Sequence, residues 1–214
     1  MLPPFRALVE STVREMRGFA KRNPPAVVSL SWGKQSMVMA HLAFTRVDPS
    51  ILCVFFAEPG YNIIADFDAT RDAFLTRWPI NYEEVFNNLL SPRKGAALHR
   101  AWNEVGGTFL GLAAEESSAR RRTCQLGWIR WKDGSRRCTP LGKWTWRDIS
   151  AYHAAHDLPC LSTYRRFGFE ARTSAGVSAG GNAERGRDLM SSGDLARYDQ
   201  IIKPYQDQCS DHSK

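Results

Sequence analysis

The stretch that decides the fold is Ala26-Val-Val-Ser-Leu-Ser-Trp-Gly-Lys-Gln-Ser-Met-Val-Met-Ala40. Its opening, Ala26 to Leu30, is a short apolar run with adjacent valines, the composition of a buried strand. The polar loop Ser31-Trp-Gly-Lys-Gln-Ser36 breaks the run, and a helical pattern resumes through Met37, Ala40, His41 and Phe44. Strand, tight glycine-containing loop and helix, in that order, aim backbone N–H groups and a helix N-terminus at an anion. Each such contact contributes about 0.3–1 kcal/mol, so several must converge before a phosphate is held. Lys34 brings a full positive charge to the crest of the loop, where a lysine is expected to pack little. Ser36 falls where an N-cap hydroxyl would stand, able to turn to a phosphate oxygen instead. The competing reading is an ordinary βα turn that binds nothing. Serine, glycine, lysine and serine coinciding at this one place favour phosphate chemistry.

The bounds of the chain agree with that start. Its 214 residues can bury one good core, so one domain is expected. No apolar run reaches the ~20 residues that a membrane span needs. The opening Met1-Leu-Pro-Pro-Phe-Arg6 lacks a signal-peptide pattern, which makes the expected location cytoplasmic. Cys53, Cys124, Cys138, Cys160 and Cys209 are scattered and form no C-x-x-C pair. That spacing argues against a disulfide framework, a tetrahedral zinc site and an iron–sulfur cluster. A net charge of +7 points to an anionic ligand, and charge alone does not choose between a nucleotide and nucleic acid.

Outward from the loop, strands and helices alternate. Pro3 to Lys21 predicts an amphipathic helix with Leu8, Val9, Val13, Met16 and Ala20 on its apolar stripe, ended by Asn23-Pro-Pro25. Ile51 to Phe56 is a continuous apolar run, the mark of a strand buried on both faces of a parallel sheet. It leads into Ala57-Glu-Pro-Gly-Tyr-Asn62 and a helix over about 63–77. Ile80 to Phe86 predicts a third strand, Ser91 to Val105 a helix bearing Arg93, Lys94 and Arg100, and Thr108 to Leu112 a fourth strand. This alternation predicts an α/β fold with a doubly wound, mostly parallel sheet and its ligand at the carboxyl ends of the strands.

The second half carries more cations. Ala113-Ala-Glu-Glu-Ser-Ser-Ala-Arg-Arg-Arg122 follows the fourth strand; read alone, it is a solvated basic helix end. Gly127 to Cys138 alternates and contains Asp133-Gly134, a strong hairpin signal. Trp128 and Trp131 stand among Arg130, Lys132, Arg136 and Arg137, a mixture that suits either a packed hairpin face or single-stranded nucleic acid. In Thr139-Pro-Leu-Gly-Lys-Trp-Thr-Trp-Arg-Asp-Ile-Ser-Ala-Tyr152, Thr145 is an N-cap with Asp148 at the capping-box position. Trp144, Ile149 and Tyr152 are expected in the core. Residues 171–192, rich in Gly, Ser and Ala, predict a mobile loop, and a tail that begins as a short helix ends in Gln208-Cys-Ser-Asp-His212. The expected organisation is a domain over 1–170 and a flexible loop and tail over 171–214.

Several of these segments, taken together, resemble the PP-loop superfamily (adenine nucleotide alpha hydrolase-like) and, within it, the phosphoadenosine phosphosulfate (PAPS) reductase family. Ser31-Trp-Gly-Lys-Gln-Ser36 is similar to the loop S-G-G-x-D-S, with Trp32 for Gly and Gln35 for Asp. Glu58-Pro-Gly-Tyr61 stands at the D-T-G-[YF] position, and 113–122 resembles G-[IL]-R-x-x-E-S-x-x-R-R with Ala113 for Arg. Residues 139–169 are similar to P-[LI]-x-x-W-[ST]-x-x-D-[VI]-x-x-Y, H-x-[LI]-P and L-Y-x-x-G-[YF]. The resemblance covers about residues 26–172 and implies a Rossmann-like fold that binds an adenine nucleotide: PAPS, APS, or ATP with magnesium. Loss of the loop carboxylate at Gln35 leans towards a sulfonucleotide.

By that resemblance, Ser31, Trp32, Gly33, Lys34, Gln35 and Ser36 cradle the phosphate or sulfate, with Glu58 and Gly60 beside it. Glu116, Ser117, Arg121 and Arg122 face it from the opposite wall; Arg172 lies in the 171–192 loop, whose length and polarity suit closing over a bound nucleotide. Lys34 is the expected catalytic cation. The family's C-terminal E-C-G-L-H segment places a nucleophilic cysteine on a tail, and Cys209 with His212 keeps two of its residues. The implied reductant is thioredoxin-like. Adenylation of another substrate, and a non-catalytic nucleic-acid-binding module, are the alternatives.

Overall fold

The computed structural model describes residues 3–57, 66–86, 105–125, 128–130 and 136–170, with residues 192, 196 and 200. The first helix, α1, spans Pro3–Arg22, and its apolar stripe buries Val9, Val13, Met16 and Phe19. Strand β1 (Ala26–Leu30) leads through the polar loop into α2 (Lys34–Leu42), which continues as one π-helical stretch, Ala43–Val47. Next come β2 (Leu52–Ala57), α3 (Phe67–Arg77), β3 (Tyr82–Phe86) and β4 (Gly107–Leu110). A 3-10 turn, Ala114–Glu116, precedes α4 (Ser118–Gln125). Strands β5 (Trp128–Arg130) and β6 (Arg136–Cys138), then α5 (Trp146–His156) and α6 (Ser162–Phe167), complete the described elements.

The six strands form one sheet in the order β3-β2-β1-β4-β6-β5. Every pairing is parallel except β5 with β6, where Trp128 lies opposite Cys138 and Arg130 opposite Arg136. The doubly wound, mostly parallel α/β fold is therefore the observed one. The two strands of the predicted hairpin pair antiparallel, and β6 also pairs with β4, joining Thr108 to Arg137 and Phe109 to Cys138. From β1 the chain winds one way to β2 and β3, then returns to place β4 on the other side of β1. The crevice outside the carboxyl ends of β1 and β4 is thus a topological switch point, where ligands of this architecture bind.

Helix α2 is buried at all nine of its positions, which is why its sequence shows no clean stripe. It is the central helix, packed on β1 and against α5. Thr145 accepts a hydrogen bond from the Asp148 N–H at 3.2 Å and Asp148 accepts from the Thr145 N–H at 2.8 Å, the reciprocal cap expected for α5. Trp144, Ile149 and Tyr152 lie in the core as predicted, and the Trp144 indole donates to the Thr12 hydroxyl at 2.9 Å. Glu58, Gly60, Cys209 and His212 lie outside the described residues, as do residues 91–104 of the helix predicted over 91–105, residues 171–191 of the predicted loop, and the far side of the predicted boundary at 170/171.

Candidate anion-binding site

The site is built on the turn from β1 into α2. Gly33, with φ −78° and ψ 164°, is the N-cap, and its carbonyl accepts the Met37 N–H at 3.1 Å. Ser36 is therefore not the cap but the third helical residue. Its hydroxyl donates to the Gly33 carbonyl at 3.0 Å and lies 3.2 Å from both the N–H and the hydroxyl of Ser31. The two serines brace the loop against each other, with Ser31 exposed and Ser36 buried. Gly111, just after β4, lets the opposite wall approach: a Cβ there would stand 3.0 Å from the Ser36 nitrogen. The ends of β1 and β4 are thus brought together at the head of α2.

Trp32 departs from the expected nucleotide contact. Its side chain is fully buried, meeting Phe74 and Tyr82 edge to face with centroids 5.6 and 5.5 Å away. Its φ of 55° explains why glycine suits this position. Here the strain, on the order of 1–3 kcal/mol, is offset by burying an indole in the core. Trp32 contributes backbone to the loop and packing to the fold.

Lys34 also departs from expectation, since only 1% of it is exposed. It is the first residue of α2, and α5, α6 and the residues after α6 enclose it. Its N–H donates to the Tyr164 hydroxyl at 3.3 Å, its carbonyl lies 2.9 Å from His153 Nε2, and its Nζ donates to the Phe169 carbonyl. The ammonium also lies 5.4 Å from the centre of the Tyr164 ring. Burial pulls the Lys34 pKa down, while Glu116 and Glu115 pull the other way. His153 is held below its ordinary pKa by burial, and its Nε2 faces the Lys34 carbonyl, which accepts. Gln35 is buried as well, and its side-chain nitrogen has no hydrogen-bond partner among the described residues. An orphaned buried donor in the first turn of α2 fits a loop that receives a ligand oxygen.

The opposite wall comes from the segment after β4. Glu116 pairs with Arg120 one helical turn on, and its side chain is only 8% exposed. The Arg120 N–H donates to the Ser117 hydroxyl at 3.1 Å, which caps the start of α4. The carboxylate of Glu115 accepts the Trp146 N–H, and the Ala114 N–H reaches the Gly142 carbonyl at 3.1 Å, tying this segment to the start of α5. Arg121 and Arg122, the expected clamp, are exposed on α4; Arg120 is the guanidinium carried to Glu116. The i,i+4 spacing of Glu116 and Arg120 is the sequence signal that finds this pair. No local signal marks His153 and Tyr164, whose partner Lys34 is 119 and 130 residues away. An arriving anion would compete with Glu116 for Arg120 and for the field of Lys34, the chemistry of a phosphate or sulfate site.

None of the four described cysteines suits a nucleophile. Burial pushes the Cys53 thiol up to about 12 and raises those of Cys138, Cys124 and Cys160. Among the described residues no group of three His, Cys, Asp or Glu side chains is placed to hold a metal ion. No described helix is long and apolar enough to cross a membrane.

A parallel sheet with a phosphate-type loop at its switch point defines a PP-loop α/β nucleotide-binding fold. Residues 25–171 match the phosphoadenosine phosphosulfate reductase domain, and the chain belongs to that family. The PAPS reductase of Synechococcus sp. is 29% identical over 156 residues, 62% of this chain and 66% of that protein. That of Xanthomonas axonopodis pv. citri is 31% identical over 163 residues, 63% and 64% of the two chains. The match thus spans slightly under two thirds of each relative's length. Among solved structures, a PAPS reductase from Candida auris superposes with a TM-score of 0.55 at 12% identity, covering 78% of this chain and 92% of that one. An FMN adenylyltransferase from Candida glabrata gives 0.61 at 13% identity, covering 76% and 61%. At such identities these two share the fold.

Proposed function

We propose that the chain binds an adenine sulfonucleotide, PAPS or APS, at the carboxyl ends of β1 and β4, and reduces or transfers its sulfur group. The observation that carries this reading is that Glu116 and Arg120 lie close enough to Lys34 to act on its charge, while Gly111 after β4 approaches the first turn of α2 at the switch point. Ser31, Gly33, Lys34, Gln35 and Ser36 supply donors to the phosphate or sulfate, and Arg120 supplies the facing guanidinium. Glu58, Gly60, Arg121, Arg122 and Arg172 are proposed as further contacts. Gln35 leaves the loop without the carboxylate that magnesium–ATP chemistry would use, so magnesium enters only if the nucleotide is ATP.

For reduction, the proposed nucleophile is the thiolate of Cys209, assisted by His212. Its sulfur attacks the sulfonyl sulfur, an S–S bond forms, the S–O bond to the phosphate breaks, and the nucleotide leaves with that electron pair. A dithiol reductant of the thioredoxin type, at home in the cytoplasm, then releases sulfite and is itself oxidised to a disulfide. The test is thioredoxin-dependent sulfite release from PAPS by the intact protein and by Cys209→Ser. Release that disappears in the variant supports the reading, and release that persists rules out Cys209. No release from either, with magnesium-dependent binding of ATP, would move the assignment to adenylation.

A further inference from the structure

One short stretch of chain, Tyr164 to Phe169, supplies two oxygens to Lys34. The Tyr164 hydroxyl accepts its N–H at 3.3 Å, and the Phe169 carbonyl accepts its ammonium. The two aromatic residues stack on each other, centroids 5.6 Å apart and planes within 26°. Gly168, at φ 83°, makes the turn that brings Phe169 back, and its N–H donates to the Tyr164 carbonyl at 3.0 Å. A Cβ at Gly168 would be strained at that φ. A phenolic oxygen and a carbonyl oxygen therefore sit on two donors: the first amide of α2 and the ammonium. An anionic oxygen bound at this turn would use the same two groups.

Building on the nucleotide reading above, we infer that Tyr164 and the Phe169 carbonyl form an internal counter-ligand, which the anionic group of the nucleotide displaces from Lys34. Tyr164 acts through Lys34 and is a positioning residue. Its ring shelves the ammonium, and its hydroxyl competes with the incoming oxygen for the Lys34 N–H. The device answers a physical need, because a buried ammonium without an oxygen partner is costly. Displacement runs towards the ligand because a hydrogen bond to an anionic oxygen is stronger than one to a neutral oxygen. His153, holding the Lys34 carbonyl from α5, keeps the residue in register while the exchange takes place.

The ring and hydroxyl roles separate by substitution. Adenosine 3′,5′-bisphosphate is titrated calorimetrically into wild type, Tyr164→Phe and Tyr164→Ala, with thermal unfolding confirming that each is folded. Tyr164→Phe, which removes the competing hydroxyl and keeps the ring, is expected to bind about two- to tenfold tighter. Tyr164→Ala, which also removes the shelf, is expected to bind more weakly than wild type. Hydrogen exchange at the Lys34 amide is expected to be faster in Tyr164→Phe and to slow when the bisphosphate binds. A purely structural Tyr164 would make both variants equal to wild type or weaker, so unchanged or weaker binding by folded Tyr164→Phe overturns the inference. If wild type binds neither the bisphosphate nor PAPS, the nucleotide reading fails and this inference with it.

Discussion

The indole of Trp32 meets the phenyl ring of Phe74 edge to face, centroids 5.6 Å apart and planes at 72°. This contact anchors the β1–α2 loop to α3. It also sets two effects against each other at one residue. Replacing Trp32 by Gly relieves a positive φ worth on the order of 1–3 kcal/mol. It also empties a core site, and truncating a buried aromatic costs about 3–5 kcal/mol. Cavity formation wins, so Trp32→Gly is expected to lower the urea unfolding midpoint by an amount equivalent to about 1–3 kcal/mol. A raised midpoint would show that the backbone strain outweighs the packing, and an unchanged one that the two balance.

A second expectation concerns acid. His41 is buried, its Nδ1 lies 2.9 Å from the Tyr152 hydroxyl, and the rings of Trp78 and His156 enclose it. Burial first, then the charges of His156, Arg77 and His153, lower its pKa from 6.5 to about 3. Below the unfolded value the unfolded chain binds a proton that the folded chain refuses. Stability therefore falls as pH drops from about 6.5 towards about 3, at up to about 1.4 kcal/mol per pH unit for this one group. Unfolding midpoints measured between pH 7 and pH 5 should decline, and less steeply in His41→Gln. Equal slopes in the two proteins would remove His41 from the account.

On the facing wall the arginines should separate. Arg120 pairs with the nearly buried Glu116, whereas Arg121 and Arg122 are exposed. Arg120→Ala is expected to weaken nucleotide binding about tenfold or more, the loss of a charge-assisted contact in a partly desolvated site. Arg121→Ala should weaken it less, because solvent screens an exposed charge. The reverse order in titrations would return the clamp to Arg121.

Local patterns in the chain foretold most of the fold. The Ala26–Leu30 run, the apolar 51–56 segment and the Thr145–Asp148 cap each specify their element with few neighbours. They appear as β1, β2 and α5, and the strands on either side of the Asp133-Gly134 signal appear as the antiparallel β5–β6 pair. What escaped depends on distant partners. A lysine after Gly reads as an exposed loop cation until Tyr164, Phe169 and His153 close over it. Ser36 reads as a cap because a hydroxyl near a helix start is ambiguous by two or three residues, and only the Gly33 carbonyl bond to Met37 settles the frame. Trp32 reads as a ligand contact until its positive φ turns the indole inward. The membership of β6 in the main sheet is equally a long-range fact, since its partner β4 lies beyond α4 in sequence.

Lys34 and its loop are the proposed anion site, and one calorimetric panel tests that most directly. PAPS, APS, adenosine 3′,5′-bisphosphate and ATP are titrated with and without magnesium into wild type and Lys34→Ala. The expected result is tighter binding of PAPS or the bisphosphate than of ATP, independent of magnesium, and weakened by about 1–3 kcal/mol in a folded Lys34→Ala. Unchanged affinity in a folded Lys34→Ala, or a magnesium-dependent preference for ATP, would contradict it.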